Sequence, residues 1–132
     1  MTQRELLLKE FRGDTIGVIT AQSSTEEKFQ NQVLRPILKL QNDLFLAMFE
    51  HYINKNKRDF HELSLEKKLA LVENSIQKDV KFRNALKGTI IALFTLEEYQ
   101  NYIQNSSNLN KRMMTMLIER LKSQIQLFEK QL

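Results

Sequence analysis

The chain has 132 residues, of which 42% are hydrophobic and 27% charged, with three glycines, one proline and no cysteine. That size fits one domain, the composition excludes a disordered chain, and so few turn-formers argue against a strand-rich fold. Without cysteine, disulfides and thiolate metal sites are excluded. The net charge of +4 is unevenly placed: residues 1–52 carry six basic and seven acidic side chains, and residues 53–132 carry fourteen and nine. Such a basic second half permits an acidic partner without requiring one.

Thr2, with Glu5 three residues on, starts a short first helix in capping-box fashion, and Gly13 suits its exit. Leu7 and Phe11, four apart, form a stripe that needs a partner. The apolar run Leu6-Leu7-Leu8 is too short and too flanked by charge for a signal peptide or membrane anchor, and no stretch suits a bilayer span, so a cytoplasmic location is expected. Residues 13–23 read as an extended linker lying on the body, strand-like from Ile16 to Thr20.

Ser24, with Glu27, opens a long helix with apolar residues recurring at three- and four-residue steps from Phe29 to Tyr52. Pro36 lies inside it, removing one backbone donor and clashing with the Gln32 carbonyl; a kink is expected. An unbroken helix of about 32 residues would span about 48 Å, whereas a compact chain of this size is about 36 Å across. Either Pro36 folds the helix round the body or one end projects and is covered by a second subunit.

Four further helices follow, started by Ser64, Asp79, Thr95 and the Asn105–Asn108 turn, the last running from about Leu109 to Gln131. The expected fold is all-α: a single-domain bundle of five to six helices, one long and Pro-kinked. Ala85 to Phe94 is apolar on nearly every side, which predicts a short central helix surrounded by others, with Ala85, Gly88 and Ala92 letting a neighbour approach closely.

No catalytic, metal or cofactor constellation stands out. His51 and His61, beside Glu50 and Glu62, are ten residues apart, and adjacent residues on a helix diverge by about 100°. Serines 23, 24, 64 and 107 sit where caps are needed, and no Gly-x-Ser-x-Gly elbow occurs. Two polar surfaces remain as candidate contacts for an anion or nucleic acid. One is Lys55, Lys57 and Arg58 at the end of the long helix, with Lys67 and Lys68 shortly after. The other is Asn108, Lys111 and Arg112 at the start of the last helix, where basic groups oppose the helix dipole and a bound anion would compensate. Met113, Met114 and Met116 follow as a candidate interface.

The stretch from Lys81-Phe82-Arg83-Asn84-Ala85-Leu86-Lys87-Gly88 to Tyr99, followed by Asn105-Ser106-Ser107-Asn108-Leu109-Asn110-Lys111-Arg112-Met113, resembles a family of short, uncharacterised all-helical bacterial proteins. The resemblance extends over most of the chain, and some members carry the label "glyoxalase". It implies a cytoplasmic bacterial protein and supplies no functional residues. Glyoxalase I is built of βαβββ modules with histidine and glutamate ligands on strands, and the His-x-His-x-Asp-His cluster of glyoxalase II does not occur here.

The leading expectation is a non-enzymatic helical interaction or assembly protein with a homo-oligomeric or other protein partner, no cofactor and no membrane. The alternatives are an RNA- or ribosome-associated factor using the basic second half, and a helical enzyme with a pocket near His51.

Overall fold

The computed structural model describes residues 2–56 and 59–128 and is all-α, with no strand among them. Seven helices follow in chain order: α1 (Gln3–Arg12), α2 (25–40), α3 (Asn42–Lys55), α4 (Leu65–Lys78), α5 (Val80–Ile91), α6 (Leu96–Gln104) and α7 (Ser106–Ser123). Short 3₁₀ turns cover Phe60–Glu62 and Ile125–Phe128. The expected helix count is exceeded because the long helix is two helices.

Five of the caps lie where the sequence places them. Thr2, Ser24, Ser64, Asp79 and Thr95 each accept a hydrogen bond from the backbone N–H three residues on, satisfying one donor that a helix start leaves orphaned. Thr95 and Glu98 form a full capping box. Gly13 ends α1 at φ 75°, backbone that a side chain disfavours. The last helix departs from expectation. It begins at Ser106, inside the expected Asn105–Asn108 turn, with no side-chain cap bond and Ser107 within the helix, and it ends at Ser123 instead of running from Leu109 to Gln131.

Pro36 is accompanied by a change of helical register. The turn before it, Gln30–Leu34, is a π-helix in which Arg35 N–H reaches back five residues to the Gln30 carbonyl. In that register the missing Pro36 donor orphans the carbonyl of Asn31; in α register it orphans that of Gln32. Both are answered from elsewhere in the chain. Ile16 N–H donates to the Asn31 carbonyl at 3.0 Å, and Arg12 Nη2 donates to that of Gln32 at 3.2 Å. Proline therefore fixes where α1 and the following segment dock. A break falls at Gln41 (φ −91°, ψ 7°), which divides α2 from α3.

No strand forms at Ile16 to Thr20. That stretch lies over the π-turn, with Asn31 Nδ2 donating to the Val18 carbonyl. Gly17, at φ 103°, lies so close to Asn31 that an added Cβ would fall 2.8 Å from its Cγ.

The core joins all the larger helices. Phe45, Phe49, Phe60, Leu34, Ile37, Ile76, Leu86, Ile90 and Met113 are at most 1% exposed, and each large apolar side chain so buried contributes about 1.5–3 kcal/mol. The expectation for α5 is corrected here. Phe82, Leu86 and Ile90 face the core at four-residue spacing, but Ala85, Gly88 and Ala92 are exposed, and nothing lies within 4 Å of a Cβ built on Gly88. Alanine and glycine remove so little area from water that an apolar reading of the sequence does not oblige burial. The helix flanks the bundle.

Candidate interaction surface

The two polar surfaces expected from sequence have different fates. At the start of α7, Asn105 donates to Glu26 Oε1 at 3.0 Å, and Arg112 donates to Gln30 Oε1 at 2.9 Å, both partners lying on α2. The Asn105 hydrogen bond, first, and the Arg112 charge among lesser causes, hold the Glu26 carboxyl below its ordinary pKa. Glu26 is therefore held chiefly by Asn105, and Arg112 by the neutral Gln30, with no ion pair between Glu26 and Arg112 among the described residues. Asn108 and Lys111 are exposed, with Asn108 bonded to Asn105. Met113 is wholly buried, so it belongs to the core and offers no surface; Met114 and Met116 are half-buried against it.

At the other end, Lys55 finishes α3 beside the start of α5, while Lys57 and Arg58 lie outside the described residues. The helices α3 and α5 run antiparallel. Tyr52 stacks on Phe82 with centroids 4.1 Å apart, Thr89 Oγ1 lies 3.9 Å from Met48 Sδ, and Gln41 Nε2 reaches the Thr89 carbonyl. Between them is an open groove of about 340 Å³, lined by Met48, His51, Tyr52, Lys55, Lys81 and Ala85 among others. A wider cleft of about 640 Å³, reaching Lys78, adjoins it across Tyr52 and Asp79. Asp79 is engaged: it accepts from Phe82 N–H and, at 3.0 Å, from Tyr52 Oη, bonds that hold its carboxyl below the ordinary range. His51, Lys55 and Lys81 are exposed and make no ion pair among the described residues.

These two basic regions do not converge. Phe94, past the end of α5, meets Phe29 at the Gln30–Arg112 end, whereas Phe82 meets Tyr52 at the Lys55 end. Nine residues of helical rise, from Phe82 to the end of α5 at Ile91 and about 13 Å, lie between those contacts.

A third surface is apolar. On α6, Leu96, Tyr99 and Ile103 are 63%, 45% and 54% exposed, while Tyr102 is buried, stacking edge-on against Phe94 and donating to Asn110 Oδ1. At 100° per residue the three exposed side chains fall within about 60° of arc, so they form one stripe along the helix. The spacing was visible in the sequence; which of two apolar faces turns inward was not. Leu7 and Phe11 of α1 likewise remain 42% and 64% exposed, their stripe uncovered.

Arg12 holds α6 in that attitude. Its side chain is 6% exposed, pairs with both carboxylate oxygens of Glu98, and donates to the carbonyls of Leu93 and Gln32. Glu5 adds a bond from Leu96 N–H, and Arg4 one to the Ala92 carbonyl. The stripe is therefore carried on a rigid corner.

Among the described residues no group of three or more histidine, cysteine, aspartate or glutamate side chains is placed to hold a metal ion, and no helix is long and apolar enough to cross a membrane. Comparison of the chain with protein-family models, with curated proteins and with solved structures gives no match.

Proposed function

We propose that this is a helical interaction protein that binds a protein partner through the apolar stripe of α6. The observation that carries the reading is the exposure of Leu96, Tyr99 and Ile103 together on one nine-residue helix whose buried face is already occupied. Scattered exposed apolar side chains need no explanation, but three aligned on a rigid, pinned helix match the anchors of helix-in-groove recognition. Pre-organisation supports it further, because ordering entropy does not have to be met on binding.

Affinity capture from the protein's own cell extract, with and without nuclease, tests this against the nucleic-acid alternative. Proteins retained by the native chain, lost on Ile103→Asp and indifferent to nuclease are the expected outcome. Retention abolished by nuclease and unaffected by Ile103→Asp would overturn it.

A further inference from the structure

We infer that the cleft where α4 meets α5 binds the phosphate group of a small phosphomonoester, held by Lys78, Lys81 and the hydroxyl of Ser75. The cleft, of about 640 Å³, is lined by Leu71, Asn74, Ser75 and Lys78 of α4, by the first residues of α5 and by Tyr52. Residues 71, 74, 75 and 78 repeat at three- and four-residue steps, so their side chains leave the helix on one side. Val72 and Ile76 turn to the core instead. Ser75 is the buried member of the cleft face, 5% exposed, and its Oγ has no hydrogen-bond partner. Serine within a helix can return its hydroxyl to the carbonyl four residues earlier. Ser75 does not, and a buried hydroxyl left unpaired is a net cost to the fold that a bound acceptor would remove.

The charges beside Ser75 call for an anion. Lys78 and Lys81 are exposed and form no ion pair among the described residues. The first turn of α5 holds Lys81 and no acidic residue, at the positive end of the helix dipole. The carboxylate in the lining, Asp79, is engaged through both oxygens, Oδ1 accepting from Phe82 N–H and Oδ2 from Tyr52 Oη. Its single charge is outweighed by the two ammonium groups. Donors from three residues on two helices suit a group with three acceptor oxygens and nearly two negative charges better than a two-oxygen carboxylate. Arg83 Nη1 donates to the Gln77 carbonyl at 2.6 Å, tying the end of α4 to the start of α5 so that the two walls keep their spacing. The volume lies within the roughly 300–1,000 Å³ of small-molecule sites. It leaves room for the organic part of the ligand beside Leu71 and Val80, the latter 55% exposed. The α6 stripe follows the other end of α5, so the two surfaces can be tested apart.

The full chain is titrated at constant ionic strength with phenyl phosphate, and backbone amide shifts are followed by two-dimensional NMR. Sodium chloride and a single-stranded oligoribonucleotide without a terminal phosphate are the parallel probes. Saturable shifts at the Ser75, Val80 and Lys81 amides are expected, with a Kd of about 1 mM or below. Lys78→Gln combined with Lys81→Gln should weaken binding at least about tenfold, and thermal unfolding shows that the variant folds. Ser75→Ala separates a ligand role from a structural one. It should weaken binding about tenfold and, by removing an unpaired buried hydroxyl, raise the melting temperature of the ligand-free chain. A lower melting temperature with unchanged affinity would show that the hydroxyl serves the fold, and would overturn the site. Shifts that rise without saturation, or that chloride reproduces, would overturn it as well. An oligoribonucleotide that binds more tightly than phenyl phosphate, and is lost with the two lysines, would assign the cleft to nucleic acid and overturn the small-ligand inference.

Discussion

The two ends of α5 answer their charges in opposite ways. Near Phe94, two arginines have internal partners: Arg12 meets Glu98 and two carbonyls, and Arg112 meets Gln30. Near Phe82, the one carboxylate, Asp79, is committed to a helix cap and to Tyr52, and the surrounding His51, Lys55, Lys78 and Lys81 form no ion pair among the described residues. A basic residue at a helix start thus does not say whether the chain itself supplies its partner.

The largest effect should come from the closed end. Arg12→Met strands Glu98 and leaves the Gln32 and Leu93 carbonyls unanswered, so chemical denaturation should show a loss of about 3–5 kcal/mol. Arg12→Lys should recover only part, since an ammonium cannot reproduce the paired guanidinium geometry. A loss below about 1 kcal/mol would mean the corner is held by apolar packing instead.

Next comes the docking of residues 13–23. Gly17→Ala combines a disfavoured φ with a Cβ against Asn31, and should cost about 1–3 kcal/mol while leaving the far end of α5 unchanged in amide-exchange protection.

Acid should distinguish the ends less sharply. Asp79 and Glu26 are both held below their ordinary values, so the stability they contribute is present above about pH 4 and is lost as pH falls through their folded values. The melting temperature is expected to fall between pH 7 and pH 3. Asp79→Asn and Glu26→Gln should each make that fall shallower, and an unchanged slope would remove these carboxylates from the account.

The smallest effects belong to the open surfaces, where stability should be nearly indifferent. Gly88→Ala is expected to stabilise the isolated monomer by about 0.5–1 kcal/mol, because its Cβ meets nothing and alanine is the better helix former. Destabilisation would show instead that a neighbour comes close there. Ile103→Asp should change monomer stability by no more than about 0.5 kcal/mol, so that any loss of association reports the surface itself.

Helix starts were written in the sequence because capping is local: Thr2, Ser24, Ser64, Asp79 and Thr95 each need only a donor three residues away. The all-α class followed from period and from scarce glycine and proline, which are also local properties. Pro36 announced a missing donor, yet the π-turn, the Gln41 break and the distant Arg12 and Ile16 that satisfy the freed carbonyls are decided by what packs alongside. The same holds for the candidate surface. Leu96, Tyr99 and Ile103 have the spacing of a core stripe, as do Ala85, Gly88 and Ala92 of a close contact, and only the tertiary arrangement turns both outward. Periodicity states that a helix has an apolar face; burial depends on the area available beside it, and in this chain the inner positions are taken by Phe82, Leu86, Ile90 and Tyr102.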